Sequence, residues 1–506
     1  MADLSILNHF WLTLLILLPI ILISRTVVAG TKYSPILIIV IFGLLLGMIL
    51  QVTGIGEPGL AEFPVIGLSS SVTVTALIVT FFVGGQKLRN TFFKPKLPGE
   101  DDVELNEKEV VLGTKGTQLI FIVRSYFILL GIEGLKRIIL GDTTAGLVDY
   151  YPLIAFFGLA GSIILIDSRA KIANKRNYLT RGIVEIISIV LILILSYYLA
   201  SAIKEIIALP QIFFAMLISS GLGMYFSNWK QGPTMRALLF AGIPMVLSAV
   251  FLIGGSRLLN AFSLEGMLQV MAFGFFGQLF WMFVGIALLV FIGKSNKVEI
   301  IAPGMAGSLS HSGLTGACTS GDLGEEAKVR APIMINIPFF GHLFVFTILA
   351  ASATRGELLM IPSIIVVLVG IIFTYFALKV LASANNEESK EIKGLILFSL
   401  GWQLIAVFGG FMLLSFAGMD LEYAAMSNSA AISHFGLFAS IQGGMFGLES
   451  AALISFIFAM PFLIHPVVFG MFGKAMSNEG EMPKKTVALL AIIGIIGVII
   501  SLVFLG

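Results

Sequence analysis

Apolar residues fall along this chain in runs of about 20, the length a helix needs to cross a hydrocarbon core about 30 Å thick. Fourteen runs are legible, at 10–29, 34–52, 66–85, 118–135, 151–167, 183–203, 209–227, 237–255, 267–293, 331–350, 358–381, 394–417, 451–472 and 486–505. They predict an all-α integral membrane protein with about fourteen transmembrane helices. Pro and Gly inside several runs are tolerable where neighbouring helices re-satisfy the freed backbone groups. The longest polar stretch, Lys87 to Gln118, holds Pro95, Pro98, Gly99 and the acidic run Glu100-Asp101-Asp102, and reads as a solvated loop.

Composition points the same way. The chain is 58% hydrophobic and 12% charged, where soluble domains average about 45–50% and about 25%. A net charge of +2 gives no argument for nucleic acid. The single cysteine, Cys318, excludes intrachain disulfides, Cys-based zinc sites and iron–sulfur clusters. Met1 to His9 lacks a basic segment and a small-residue cleavage site, so the first run reads as a retained helix rather than a signal peptide.

Basic connections set the orientation. Lys87, Arg89, Lys94 and Lys96 mark one inside loop, and Arg169, Lys171, Lys175, Arg176 and Arg181 another. Lys230 with Arg236, Lys294 with Lys297, Lys390 with Lys393, and Lys474 with Lys484 and Lys485 mark four more. Glu57 with Glu62, and Asp420 with Glu422, fall opposite. Fourteen spans thread these marks with both termini outside an inner or plasma membrane; Lys136 with Arg137 is the main pair left on the wrong side.

Two internal duplications divide the chain. Phe81–Asn90 lines up with Phe251–Asn260 around paired Gly84-Gly85 and Gly254-Gly255, and Pro35–Met48 resembles Pro210–Met224. More strongly, 310–346 aligns without a gap to 433–469 at an offset of 123, with twelve of 37 positions identical. The matches include His311/His434 and His342/His465, four of the five histidines. The expected divisions are 1–182 and 183–300 as scaffold-like repeats, 301–381 as a first hairpin repeat, and 382–506 as its inverted counterpart.

In this topology both duplications relate segments of opposite direction, the architecture of many secondary transporters. Segments 301–324 and 424–447 are rich in Gly and Ser and read as two opposed re-entrant or broken helices. Their freed N–H and C=O groups need protein or a water-filled cavity around them. The substrate- or ion-binding candidates are Ser310, His311, Ser312, Gly313 and Thr315 on the first, and Ser427, Asn428, Ser429, Ser433, His434, Gln442 and Glu449 on or just after the second. Hydroxyl, amide and imidazole groups supply donors and acceptors without a permanent charge in lipid. The two tips are expected to meet. Each residue also has a duller reading: His311, His342, His434 and His465 as structural hydrogen-bonding groups, Ser and Asn as caps, and Glu326 as interfacial.

Ala306-Gly307-Ser308, then Ser310-His311, Gly313 and Thr315-Gly316-Ala317, preceded by the Pro210 and Gly254-Gly255 helices, is similar to the sodium/glutamate symporter family. The resemblance covers about 209–350, with a fainter echo at 34–90 and at Gly158–Ser162. It implies an inverted-repeat carrier of glutamate-like organic anions, coupled to Na+, with Gly307, Ser308, Ser310, His311, Gly313, Thr315 and Gly316 in one Gly-rich re-entrant loop. The chain departs from the family in carrying Ser-His-Ser-Gly where an adjacent Gly pair accompanies the His.

Three function classes follow. A secondary transporter, not an enzyme, accounts for the repeats, the broken segments and the lack of a G-x-x-x-x-G-K-[ST] motif; its partners are a small solute or ion, the bilayer and a possible homodimeric copy. A transition-metal transporter or His-ligated metalloprotein would use His311, His342, His434 and His465. A haem-binding redox subunit would present His pairs on full spans.

Overall fold

The computed structural model describes residues 6–29, 34–54, 75, 78–86, 88–89, 115–141, 148–173, 176–206, 211–227, 229, 232–261, 266–319, 321–385, 387–442, 444–459, 461 and 464–503. These residues are helical apart from turns and short connections, and carry two isolated β-bridges but no strand. In order the helices are α1 Ile6–Val28, α2 Pro35–Val52, α3 Lys115–Leu140, α4 Tyr151–Ala173, α5 Arg176–Ile206, α6 Gln211–Tyr225, α7 Pro233–Ala237 and α8 Ile243–Ala261. Then come α9 Met267–Ala287, α10 Val298–Leu309, α11 Ser312–Thr319, α12 Glu325–Arg355, α13 Met360–Ala382 and α14 Glu388–Phe416. The last are α15 Leu421–Ile432, α16 Phe435–Gln442, α17 Leu448–Ala459, α18 His465–Ser477 and α19 Lys484–Val503. Among the described residues, seven helices are long and apolar enough to cross a membrane: 8–27, 35–52, 179–203, 267–292, 360–382, 388–416 and 484–503. Most of the expected run at 66–85 and loop at 87–118 lies outside the described residues.

The chain divides into two compact units. One comprises Met1–Ile23, Pro58–Ser201 and Phe214–Ala249. In it α6 crosses the helical residues 78–86 where glycines let backbones touch: a Cβ at Gly223 would lie 2.8 Å from Phe82 C, and one at Gly85 would lie 2.9 Å from Ser220 C. Helices α3 and α4 meet likewise, with Gly131 against Leu159 N. Beside this crossing, Glu133 of α3 is fully buried and binds Lys136 at 2.8 Å and Arg137 at 2.9 Å. Thr75 donates to the same carboxylate at 3.1 Å, and Arg137 donates to the Tyr151 hydroxyl at 3.0 Å. Lys136 and Arg137, discordant as orientation marks, are therefore interior members of an ion-pair network and report nothing about a loop. Glu185 of α5 braces the start of α7, accepting from Gly232 N, from Thr234 N at 2.8 Å and from Met235 N at 3.3 Å.

The other unit comprises Ser24–Glu57, Ala202–Phe213 and Val250–Gly506. In it α2 crosses the C-terminal half of α8 through Gly47 and Gly255, whose added Cβ atoms would lie 2.9 Å from Gly255 Cα and 3.0 Å from Leu44 Cα. The glycines are the sequence counterparts of Gly223 and Gly85. The duplicated helices thus repeat one crossing, each helix partnered by the other repeat's helix. Ser34 caps α2 and also donates to Asp322 at 3.1 Å.

Beyond α8 this unit consists of two matching five-element sets. Adding 123 to α10, α11 and α12 gives α15, α16 and the pair α17–α18, and adding it to α13 gives α19 within a residue or two. Helices α9 and α14 complete the sets at an offset of 125, since Gln278, Gly285 and Gly293 match Gln403, Gly410 and Gly418. The long helix α12 continues through Pro338, whereas its counterpart breaks at Pro461.

The sets run in opposite directions. Leu395 lies 2.9 Å from the Gly304 Cβ position and Gln403 reaches Ser310 at 3.0 Å, so α10 runs parallel to α14. Ser427 bonds Val270 O at 2.9 Å and Ala431 lies 2.7 Å from the Gly277 Cβ position, so α15 runs parallel to α9. Short connections make α9 antiparallel to α10, and α14 antiparallel to α15, so α9 opposes α14. The outer helices are exchanged: α13 lies on α14 through Gly370 and Gly401, and α19 lies on α9 through Gly494 and Phe280. The exchange sorts the helices by surroundings, with α9 and α14 buried over 56% and 67% of their apolar windows and α13 and α19 over 28% and 33%.

Candidate functional site

Each short helix pair is a hairpin whose geometry follows from its residues. Helix α10 ends at Ser310, which takes a left-handed turn at φ 46°, and α15 ends at Ser433 at φ 53°. The next residue then opens the returning helix as its cap. His311 Nδ1 accepts from Leu314 N at 3.1 Å, and His434 Nδ1 accepts from Leu437 N at 3.0 Å. Side chains at this position commonly satisfy the N–H three residues on. Here imidazole does it, twice. The far ends of the hairpins turn at Gly321 and Gly324, and at Gly444 and Gly447, all at positive φ that only glycine adopts without strain.

The two tips meet. His311 and His434 pair their backbones as one antiparallel β-bridge, and all four histidines of the duplication are fully buried around it. Each tip histidine faces the longer-helix histidine of the other set. His434 Nε2 lies 2.6 Å from His342 Nε2, and the rings of His311 and His465 lie 4.8 Å apart between centroids. Because Nδ1 of each tip histidine accepts, its neutral form carries the proton on Nε2. His434 therefore donates to His342. The Gln278 amide nitrogen lies 3.0 Å from His311 Nε2, which would set two donors face to face. Turning the carboxamide resolves this, since Gln278 Oε1 then accepts from His311 and gains the partner it otherwise lacks among the described residues. Gln403 spans both tips, donating to Ser310 Oγ at 3.0 Å with its nitrogen 3.4 Å from His434 Nε2.

The remaining candidates sort by position. A Cβ at Gly313 would lie 2.8 Å from His465 Nε2, and one at Gly436 3.3 Å from Phe346, so both glycines admit the opposing helix. Thr315 is buried in the first turns of α11, its N–H on His311 O at 2.9 Å. Ser427 is engaged with Val270 O, and Asn428 donates to Val407 O at 2.8 Å. Ser429 and Ser433 are fully buried. The structure therefore brings together Ser310, His311, Gly313, Ser433 and His434 with His342 and His465, and sets Ser427, Asn428 and Ser429 one to two turns back along α15. The side chains of Ser312, Gln442 and Glu449 lie outside what is described, although their backbones belong to α11, α16 and α17. Glu326 is exposed and pairs with Arg330 at 2.9 Å, an edge position.

Comparison of the chain with family models, with curated proteins and with solved structures gave no match. The reading of the site rests on its geometry. Ends of opposite polarity converge at the tips: the carbonyl ends of α10 and α15, and the N–H ends of α11 and α16. Such a junction suits an anion at the N–H ends and a cation at the carbonyl ends. Among the described residues no group of three or more His, Cys, Asp or Glu side chains converges. The histidines stand as two pairs.

Sequence reasoning missed Gln278 and Gln403, and the tryptophans beside them, where Trp402 Nε1 donates to Trp281 O at 3.1 Å. The signal was present as two glutamines inside apolar runs at matching positions.

Proposed function

We propose that the chain is an ion-coupled secondary transporter of a small organic anion, an amino acid or carboxylate of the glutamate kind, with its site where the two tips meet. On this reading it crosses the membrane about fourteen times, and the α10–α11 and α15–α16 hairpins are re-entrant arms entering from opposite sides. The observation that carries it is the antiparallel meeting of the His311 and His434 tips inside two oppositely directed sets of helices. Repeat-based carriers place their substrate at such a junction of broken helices, where helix ends supply partial charges without fixed ones. Neutral Ser, His and Gln side chains there provide donors for an anionic solute, and the resemblance to sodium/glutamate symporters suggests Na+ as the driving ion. Uptake by the purified protein in proteoliposomes, across a panel of small organic anions under imposed Na+ or proton gradients, tests the reading. Gradient-driven accumulation of at least one anion is expected; a panel indifferent to both gradients would overturn it.

Two buried pairs of imidazoles, His342 with His434 and His311 with His465, support a second reading, a transporter of a transition metal. Purified protein retaining stoichiometric zinc, copper or nickel after dialysis would displace the first reading in its favour.

A further inference from the structure

We infer that the last turn of α15 seats a monovalent cation through Asn428 and Ser429, and that the first arm has no such seat. The purpose of the seat rests on the transporter reading; its chemistry does not.

Asn428 Nδ2 donates to Val407 O at 2.8 Å. A carbonyl can only accept, so this bond fixes the carboxamide, and Oδ1 cannot be exchanged for the nitrogen. That oxygen is fully buried and has no hydrogen-bond partner among the described residues. The hydroxyl of the next residue, Ser429, is in the same condition. Gly410 makes room for this carboxamide: Oδ1 is the atom nearest to where a Cβ there would lie, with Nδ2 next but one at 2.9 Å, so the oxygen lies beside the Gly410 backbone.

Two buried oxygens on adjacent residues, neither with a hydrogen-bond partner among the described residues, suit a ligand that accepts electron density, a cation or the hydrogen of a water. An anion fails, because Oδ1 has no proton to offer. The location agrees: the carbonyl end of α15 lies within a turn, so the helix field favours positive charge. Neutral amide and hydroxyl oxygens suit a hard alkali cation. They do not offset a divalent ion, which takes carboxylates, or a soft metal, which takes nitrogen and sulfur.

The internal repeat supplies its own control. At the offset of 123, Asn428 and Ser429 correspond to Met305 and Ala306. Gly285 stands where Gly410 stands and accommodates Met305 in the same manner, its Cβ position 2.7 Å from Met305 Cε. The backbone is duplicated and the oxygens are not. Two arms that meet at one tip therefore differ in cation chemistry.

The test uses full-length purified protein without added solute, with NaCl or KCl compared against choline chloride at constant ionic strength. Thermal unfolding and radiolabelled Na+ binding are the readouts. The wild type is expected to show a saturable rise in midpoint with Na+ or K+ over choline. Ser429→Ala removes an unsatisfied hydroxyl, so its midpoint in choline should equal or exceed the wild-type value while the half-saturating cation concentration rises at least tenfold. Asn428→Met, which copies the first arm, should abolish the response, and Ala306→Ser should leave it unchanged. Equal responses within twofold in Ser429→Ala and wild type, or a wild-type midpoint identical in all three salts, would overturn the inference; the second result is what a merely hydrated pocket gives. Cation binding without uptake of any solute would sink the transporter reading and leave the seat standing. Gradient-driven uptake with no cation effect on the midpoint would do the reverse.

Discussion

His434 supports two structures at once, and substitution can separate them. Its Nδ1 caps α16 at Leu437 N, 3.0 Å away, and its Nε2 reaches His342, 2.6 Å away. Alanine removes both. Losing a cap costs roughly 1 kcal/mol, and leaving the buried His342 nitrogen without this donor costs a further 1–3 kcal/mol or so. His434→Ala should thus lose about 2–4 kcal/mol. Asparagine is among the best caps but is too short to reach His342, so His434→Asn should lose only the second part, about 1–3 kcal/mol. Thermal unfolding in detergent, ranking wild type above Asn above Ala, checks the energetics. Proteoliposome uptake then separates roles. If the imidazole belongs to the solute site, His434→Asn should lose at least tenfold in uptake despite its repaired cap. Wild-type uptake in His434→Asn would show that the histidine only caps a helix, and the proposed site would fail with it.

Gly313→Ala should press a methyl group onto His465, whose Nε2 would lie 2.8 Å away, and should cut uptake more than it lowers the unfolding midpoint; equal uptake would show that the tip tolerates displacement. Glu133→Gln takes the carboxylate from Lys136 and Arg137, both almost fully buried, and breaking such a pair typically costs about 3–5 kcal/mol. Adding Lys136→Met to it should recover part of that loss in a thermal-unfolding assay, and a single mutant as stable as wild type would refute the network's weight.

How much was legible depended on what each residue must do. The tips were readable because Ser310, Gly313 and the far-end glycines answer to backbone geometry that few residues satisfy, and the histidines to specific bonds. Matching residues therefore survive at the same spacing. The outer helices answer only to apolar contact, and α13 and α19 share a place in the fold with little shared sequence. Helices α9 and α14 were hidden for a different reason. The connection 294–297 is two residues longer than its counterpart, so the offset changes from 123 to 125 and a gapless comparison loses Gln278 and Gln403. Lys136 and Arg137 misled because charge was assumed to mean loop, whereas Glu133 one turn away permits burial. The pairing of each histidine with the other set's partner was not legible, because antiparallel exchange arises only when two copies pack.

On the transporter reading, that exchange predicts a second conformation. The two sets are equivalent in kind but not in present bonding: His434 is bonded to His342 with Gln403 held back at 3.4 Å, while His311 is beside Gln278 and its ring only approaches His465. Swapping the roles of the sets, as inverted repeats allow, gives a state in which His311 bonds His465 and His434 rests on Gln403. On the transporter reading these are the two access states, since a change favouring one arm's partner over the other moves the tips toward the opposite side. His342→Ala removes a bond found only in the present state and should shift the population toward the swapped one. His465→Ala removes a bond found only in the swapped state and should shift it back. The measurement is the labelling of Thr315→Cys, in a Cys318→Ser background, by an impermeant maleimide applied from either face of sealed vesicles. The ratio of labelling from the two faces should move in opposite directions in the two variants. Movement in the same direction would mean that the histidine pairs are not the alternating element, because two equivalent truncations would then have biased one equilibrium alike.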